Sequence, residues 1–69
     1  MELTPVTSRH ITAIGHDELT GVLTVQFKNG ATYEYEDVPR ERYEVMLGAD
    51  SAGTYLHNVI KPNHPGRRV

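Results

Sequence analysis

Four histidines, His10, His16, His57 and His64, are the side chains in this chain best suited to metal or proton chemistry. A zinc site needs several such ligands within about 2 Å of one ion. His10 and His16 fall on one extended run, where six residues separate them by about 20 Å. No HxH, HExxH or HxxxH spacing occurs, and the absence of cysteine excludes thiolate ligands, thiol nucleophiles and disulfides. Ser8 and Ser51 are the hydroxyls to weigh as nucleophiles, yet neither lies in the GxSxG elbow that exposes a serine between strand and helix. Glu34 and Glu36 share a strand face, where glutamates are ordinarily solvated. The expectation is no catalytic residue, no metal and no cofactor.

Binding chemistry has better candidates. Ser51-Ala52-Gly53-Thr54 reads as a helix start, with Ser51 as its cap. Free N–H groups at such a start attract anions, and Gly53 would let a ligand or another backbone come close. Ser51, Gly53 and Thr54 are therefore the anion or ligand candidates; the plainer reading is an ordinary cap with Gly53 packed on a sheet. Tyr33 and Tyr35 could be platforms on which bases stack. Against this, their spacing on an apolar strand face suits packing beneath helices, with the hydroxyls at the edge. Lys61, Arg67 and Arg68 form a basic cluster near the C-terminal end of the sequence, which Arg40 and Arg42 join if two helices lie side by side. A frayed, solvated segment is the competing explanation.

Sixty-nine residues make one domain. A domain of this size buries only about 60% of the surface its unfolded chain exposes. Such domains often add a partner subunit, so self-association is a standing possibility. The formal charge is −2, with seven Lys/Arg against nine Asp/Glu. Nucleic-acid binders usually carry a basic face, and a net charge this low argues against bulk steering while leaving room for a local patch. No apolar run approaches the ~20 residues of a membrane helix. Met1 to Pro5 lack a basic, then apolar, leader pattern. The expected location is the cytoplasm, with no membrane contact.

These residues must be held by a few elements. Ile11, Ala13 and Gly15 alternate with polar neighbours, as do Leu23, Val25 and Phe27, then Ala31, Tyr33 and Tyr35. Three strands joined by tight turns make an antiparallel meander. A three-residue Lys28-Asn29-Gly30 loop, with Gly30 left-handed, pairs Phe27 with Ala31, Val25 with Tyr33 and Leu23 with Tyr35. A five-residue Asp17 to Gly21 loop extends this to Ile11 with Phe27, Ala13 with Val25 and Gly15 with Leu23, leaving Ile14 and His16 on the outer face. Pro39 then opens a helix whose face is Tyr43, Met46 and Leu47, and Gly48 stops it. A second helix presents Ala52, Tyr55, Leu56, Val59 and Ile60 and ends at Pro62. The fold class is α+β, a three-stranded antiparallel meander followed by two helices packed on one face.

The ordered set Ser8-Arg9-His10-Ile11, Ile14-Gly15, Tyr33-Glu34-Tyr35, Val38-Pro39, Tyr43, Ser51-Ala52-Gly53-Thr54-Tyr55 and Ile60-Lys61 resembles the KTSC domain, named for its place at the C-terminus of some lysyl-tRNA synthetases. The resemblance runs from about residue 8 to 65, leaving 1–7 and 66–69 as terminal tails. It departs from the family pattern at His16, where an aromatic is usual, and at Ala52 and Thr54, where basic residues are usual. It implies a small binding module with RNA as the suggested partner. The alternative is a protein–protein or accessory module, homodimeric or of phage origin.

Overall fold

Alternating apolar residues supply the three central strands, and two short edge strands extend them. The computed structural model describes residues 3–69. Its sheet is antiparallel and five-stranded, in sequence order: β1 (Thr4–Pro5), β2 (Ile11–Asp17), β3 (Val22–Phe27), β4 (Thr32–Tyr35) and β5 (Gly66–Arg68). The expected three-stranded meander is thus its centre. Both segments expected to be tails contribute a strand, with Met1 and Glu2 outside the described residues.

The second hairpin has the expected register. Leu23 faces Tyr35 and Val25 faces Tyr33. The Phe27 N–H donates to the Ala31 carbonyl at 2.8 Å, and Gly30 has a φ of 93°. In the first hairpin, Ile11 faces Phe27, but a bulge between Ile11 and Ala13 shifts the remainder of the strand by one residue. Ile14 therefore faces Val25 and His16 faces Leu23, correcting the expected partners Ala13 and Gly15. The bulge lets two isoleucines of β2 enter the core, where Ile11 and Ile14 are both 0% exposed. Strict alternation would have left Ile14 on the open face, losing about 1.5–3 kcal/mol of apolar burial. Ala13 instead shares the opposite face with Gln26. His16 turns inward, stacks on Tyr43 at 5.4 Å and donates from Nε2 to the Val38 carbonyl at 2.6 Å.

Pro39 precedes α1 (Arg40–Leu47), which buries Tyr43 and Met46, and Gly48 follows it. The second helix, α2, begins over Ala52–Tyr55, widens into a π turn over Leu56–Ile60 and closes with a turn over Lys61–Asn63. Pro62 was expected to end this helix but lies inside its last turn. Proline has no N–H, and in α geometry its ring meets the carbonyl four residues back. The wider turn, in which the Lys61 N–H reaches Leu56 O, relieves that conflict.

Beyond α2, His64 is buried and fixes the return of the chain. Arg42 can only donate, so its Nη1 gives a hydrogen bond to His64 Nε2 at 3.1 Å, and Nδ1–H donates to the Glu36 carbonyl at 3.1 Å. Glu36 N–H donates to Pro65 O at 2.9 Å, and β5 then pairs with β4. Gly66 lies so close to the Tyr35 ring that an added Cβ would fall 2.3 Å from it. The core joins Ile11, Ile14, Leu23, Val25, Tyr35 and Val38 of the sheet side to Tyr43, Met46, Ala52, Leu56 and Ile60 of the helices. Phe27, Tyr33, Leu47 and Tyr55, expected at its centre, pack at its margin.

Candidate binding cleft

The meander sorts charge by end. In antiparallel order, the segment before β2 and the β3–β4 turn meet at one end of the sheet. Arg9, His10 and Lys28 lie there, and the Lys28 N–H donates to the His10 carbonyl at 2.8 Å. The β2–β3 turn and the residues after β4 meet at the other end, which carries Asp17, Glu18, Glu36 and Asp37. A net charge of −2 averages over this division.

The start of α2 closes against the basic end. Ala52 N–H donates to Thr7 O at 3.1 Å, and a Cβ on Gly53 would lie 2.9 Å from Ser8 Oγ. These contacts hold residues 7–10 beside residues 50–54 and leave a cleft of about 900 Å³. Arg9, His10, His57 and Lys61 supply its basic lining, Phe27 and Leu56 its apolar lining. Ser8, Ser51, Gly53 and Thr54 add polar wall, and Asp50 is the carboxylate among the lining residues. Among the described residues, Arg9 and Lys61 form no ion pair.

The expected anion candidates Ser51, Gly53 and Thr54 all line this cleft, with a change in what they offer. Ala52 N–H is taken by Thr7 O, and Thr54 N–H by Ser51 Oγ at 3.3 Å. Ser51 is thus the cap its sequence position suggested, and two of the N–H groups at the helix start are already engaged.

Of the five basic candidates, Lys61 alone lines the cleft. Arg40 pairs with Glu18 at 2.8 Å and Glu44 at 3.8 Å, and lies 5.3 Å over the Tyr43 ring. Arg42 is held by His64. Arg67 meets Glu34 at 3.3 Å, while Arg68, its strand neighbour, points to the other face of the sheet. The five do not form one patch. Tyr35 is 3% exposed and Tyr33 stacks on it at 6.4 Å, with Phe27 edge-on to Tyr33 at 5.4 Å. Packing beneath the helices occupies the Tyr35 ring that base stacking would need. Arg9, His10 and His57 are cleft residues that spacing arguments passed over. A signal existed for one of them: Gly53, His57 and Lys61 recur every four residues along one helix.

Among the described residues no group of three or more His, Asp or Glu side chains could hold a metal. No described helix is long and apolar enough to cross a membrane.

Comparison with known proteins agrees with this architecture. The model of the KTSC domain family matches residues 7–64. A protein of Tsukamurella paurometabola is 40% identical over 58 residues, 84% of this chain and 87% of that protein. The crystal structure of a KTSC domain protein from Yersinia pestis superposes with a TM-score of 0.88 at 33% identity, covering 99% of this chain and 96% of that one. A lysine–tRNA ligase of Nostoc sp. is 39% identical over 51 residues, 74% of this chain and 9% of the ligase.

Proposed function

This chain belongs to the KTSC domain family, and on that premise we propose that it is a small non-enzymatic module that binds RNA in the cleft between residues 7–10 and α2. The observation that carries this reading is the gathering of Arg9, His10, His57 and Lys61 around one concave site while carboxylates hold Arg40 and Arg67 elsewhere. Phosphate neutralisation supplies most non-specific affinity for nucleic acid, so two local cations outside any ion pair among the described residues, Arg9 and Lys61, matter more than net charge. Similarity to a short region of a ligase named for tRNA supports the same choice of partner. The proposed contacts are therefore Arg9, Lys61 and the two histidines, in place of Arg40, Arg42, Arg67 and Arg68.

Fluorescence anisotropy of a labelled single-stranded RNA, titrated at two salt concentrations, tests it. Arg9→Gln and Lys61→Gln should each weaken binding and flatten the slope of log K against log salt by about 0.7. No binding by the unaltered chain at ~50 mM salt, where such contacts are strong, overturns the reading. A protein partner or a second copy, which domains of this size often recruit, is the other reading. Sedimentation of the free chain decides whether that partner is itself.

A further inference from the structure

We infer that the cleft takes its ligand by phosphate oxygens rather than by base edges, with Ser8, Arg9 and Lys61 as the phosphate-receiving set. This deepens the RNA reading and rests on it for the identity of the polymer.

A serine hydroxyl has one proton to donate and two lone pairs with which to accept. Ser8 Oγ accepts from the N–H groups of both His10 and Ile11, each at 3.2 Å. Its acceptor capacity is therefore used within the chain, and what remains is its O–H proton. Ser51 Oγ repeats the arrangement, accepting from the N–H of Thr54 at 3.3 Å and from Thr54 Oγ1 at 3.1 Å. Both serines line the same cleft as Arg9 and Lys61. Arginine and lysine side chains only donate. These four groups from two distant segments thus present donors and positive charge.

The carboxylate in the wall lies to one side. Asp50 and Thr54, together with Ser51, also border a neighbouring cleft of about 380 Å³, whereas Ser8, Arg9 and Lys61 belong to the larger cleft alone. Most base edges present donors beside acceptors, and such donors would lose water without gaining a partner at Ser8, Arg9 and Lys61; the guanine N7/O6 edge presents acceptors alone but is uncharged. A phosphate presents acceptor oxygens and negative charge, and charge-assisted bonds to it are the strong kind. The chemistry is shared by a backbone phosphodiester and a terminal phosphate, so both sources enter the test.

The experiment is a proton–nitrogen NMR titration of the full chain with sodium phosphate, followed by binding of a single-stranded RNA with and without a 5′ phosphate. A third oligomer of the same sequence carries uncharged methylphosphonate linkages. Two variants of one shape probe the site's demand for a donor and against negative charge: Ser8→Asp keeps an acceptor for the two N–H groups but has no donor and adds a carboxylate charge, and Ser8→Asn keeps acceptor and donor without the charge. Phosphate should shift the amides of residues 8–10 and 51–54, and the methylphosphonate oligomer should fail to bind. Ser8→Asp should lose about tenfold or more in RNA affinity, and Ser8→Asn should restore most of it. Equal binding with and without the 5′ phosphate assigns the site to the backbone; dependence on it assigns the terminus. Binding of the uncharged oligomer as tightly as RNA overturns the inference and leaves the RNA reading intact. Phosphate shifts at the cleft without RNA binding uphold the inference and overturn that reading. No shift by either probe overturns both.

Discussion

Tyr35 lies under the helices, and burial, followed by the neighbouring Tyr33, holds its phenol pKa above the ordinary value of 10.0. A raised pKa means that the folded chain keeps a proton the unfolded chain has lost. Stability from this source is therefore complete below about pH 10 and falls as pH rises through the folded value. Thermal melts between pH 8 and pH 11 should show this alkaline loss, and Tyr35→Phe should reduce it. An unchanged alkaline slope in the variant would mean that other groups dominate. The sequence placed Tyr35 on an apolar strand face, which was enough to favour packing over stacking. It could not show that Gly66 would press against the same ring, because that contact joins residues distant along the chain.

Among the elements, β2 illustrates how a local pattern and a tertiary requirement conflict. Its alternation predicts Ile14 beside Thr12 on the open face; the bulge sends Ile14 inward and leaves Thr12 exposed. Ile14→Ala should therefore cost about 2–5 kcal/mol, the range for a buried aliphatic truncated in a packed core. Thr12→Ala should stay within about 0.5 kcal/mol, as surface substitutions do. Denaturant titrations of the two variants measure the difference, and similar small losses would restore the unbulged register. α2 shows a comparable conflict. Pro62 is a sound local stop signal, but the π turn accommodates it, so Lys61 remains in the helix that walls the cleft.

The sheet carries Arg9, His10 and Lys28 at one end and Asp17, Glu18, Glu36 and Asp37 at the other, where Arg40 offsets Glu18. Field and local charge, rather than net charge, govern encounter with a polyanion. Arg9→Glu should therefore abolish RNA binding at moderate salt, whereas Arg67→Glu, at a residue already paired with Glu34, should change it little. Anisotropy titrations of both variants check this. Loss from Arg67→Glu with binding retained by Arg9→Glu would return the contact surface to β5 and remove the cleft from consideration.

What the sequence determined by itself is what neighbours within a few residues can impose. The second hairpin's register comes from apolar alternation and from a turn needing positive φ at Gly30. Ser51 declared itself as a cap, and Pro39 marked the entry to α1. The tertiary structure decided what depends on residues far apart. The β2 bulge answers to the volume under the helices, and β5 exists because His64 ties Arg42 to the end of β4. The cleft forms because Thr7 and Ser8 dock on Ala52 and Gly53. Ser8-Arg9-His10 and Ser51-Ala52-Gly53-Thr54 stand out separately in the sequence, but periodicity carries no information about their meeting; close packing of the helix start against the incoming chain brings them together.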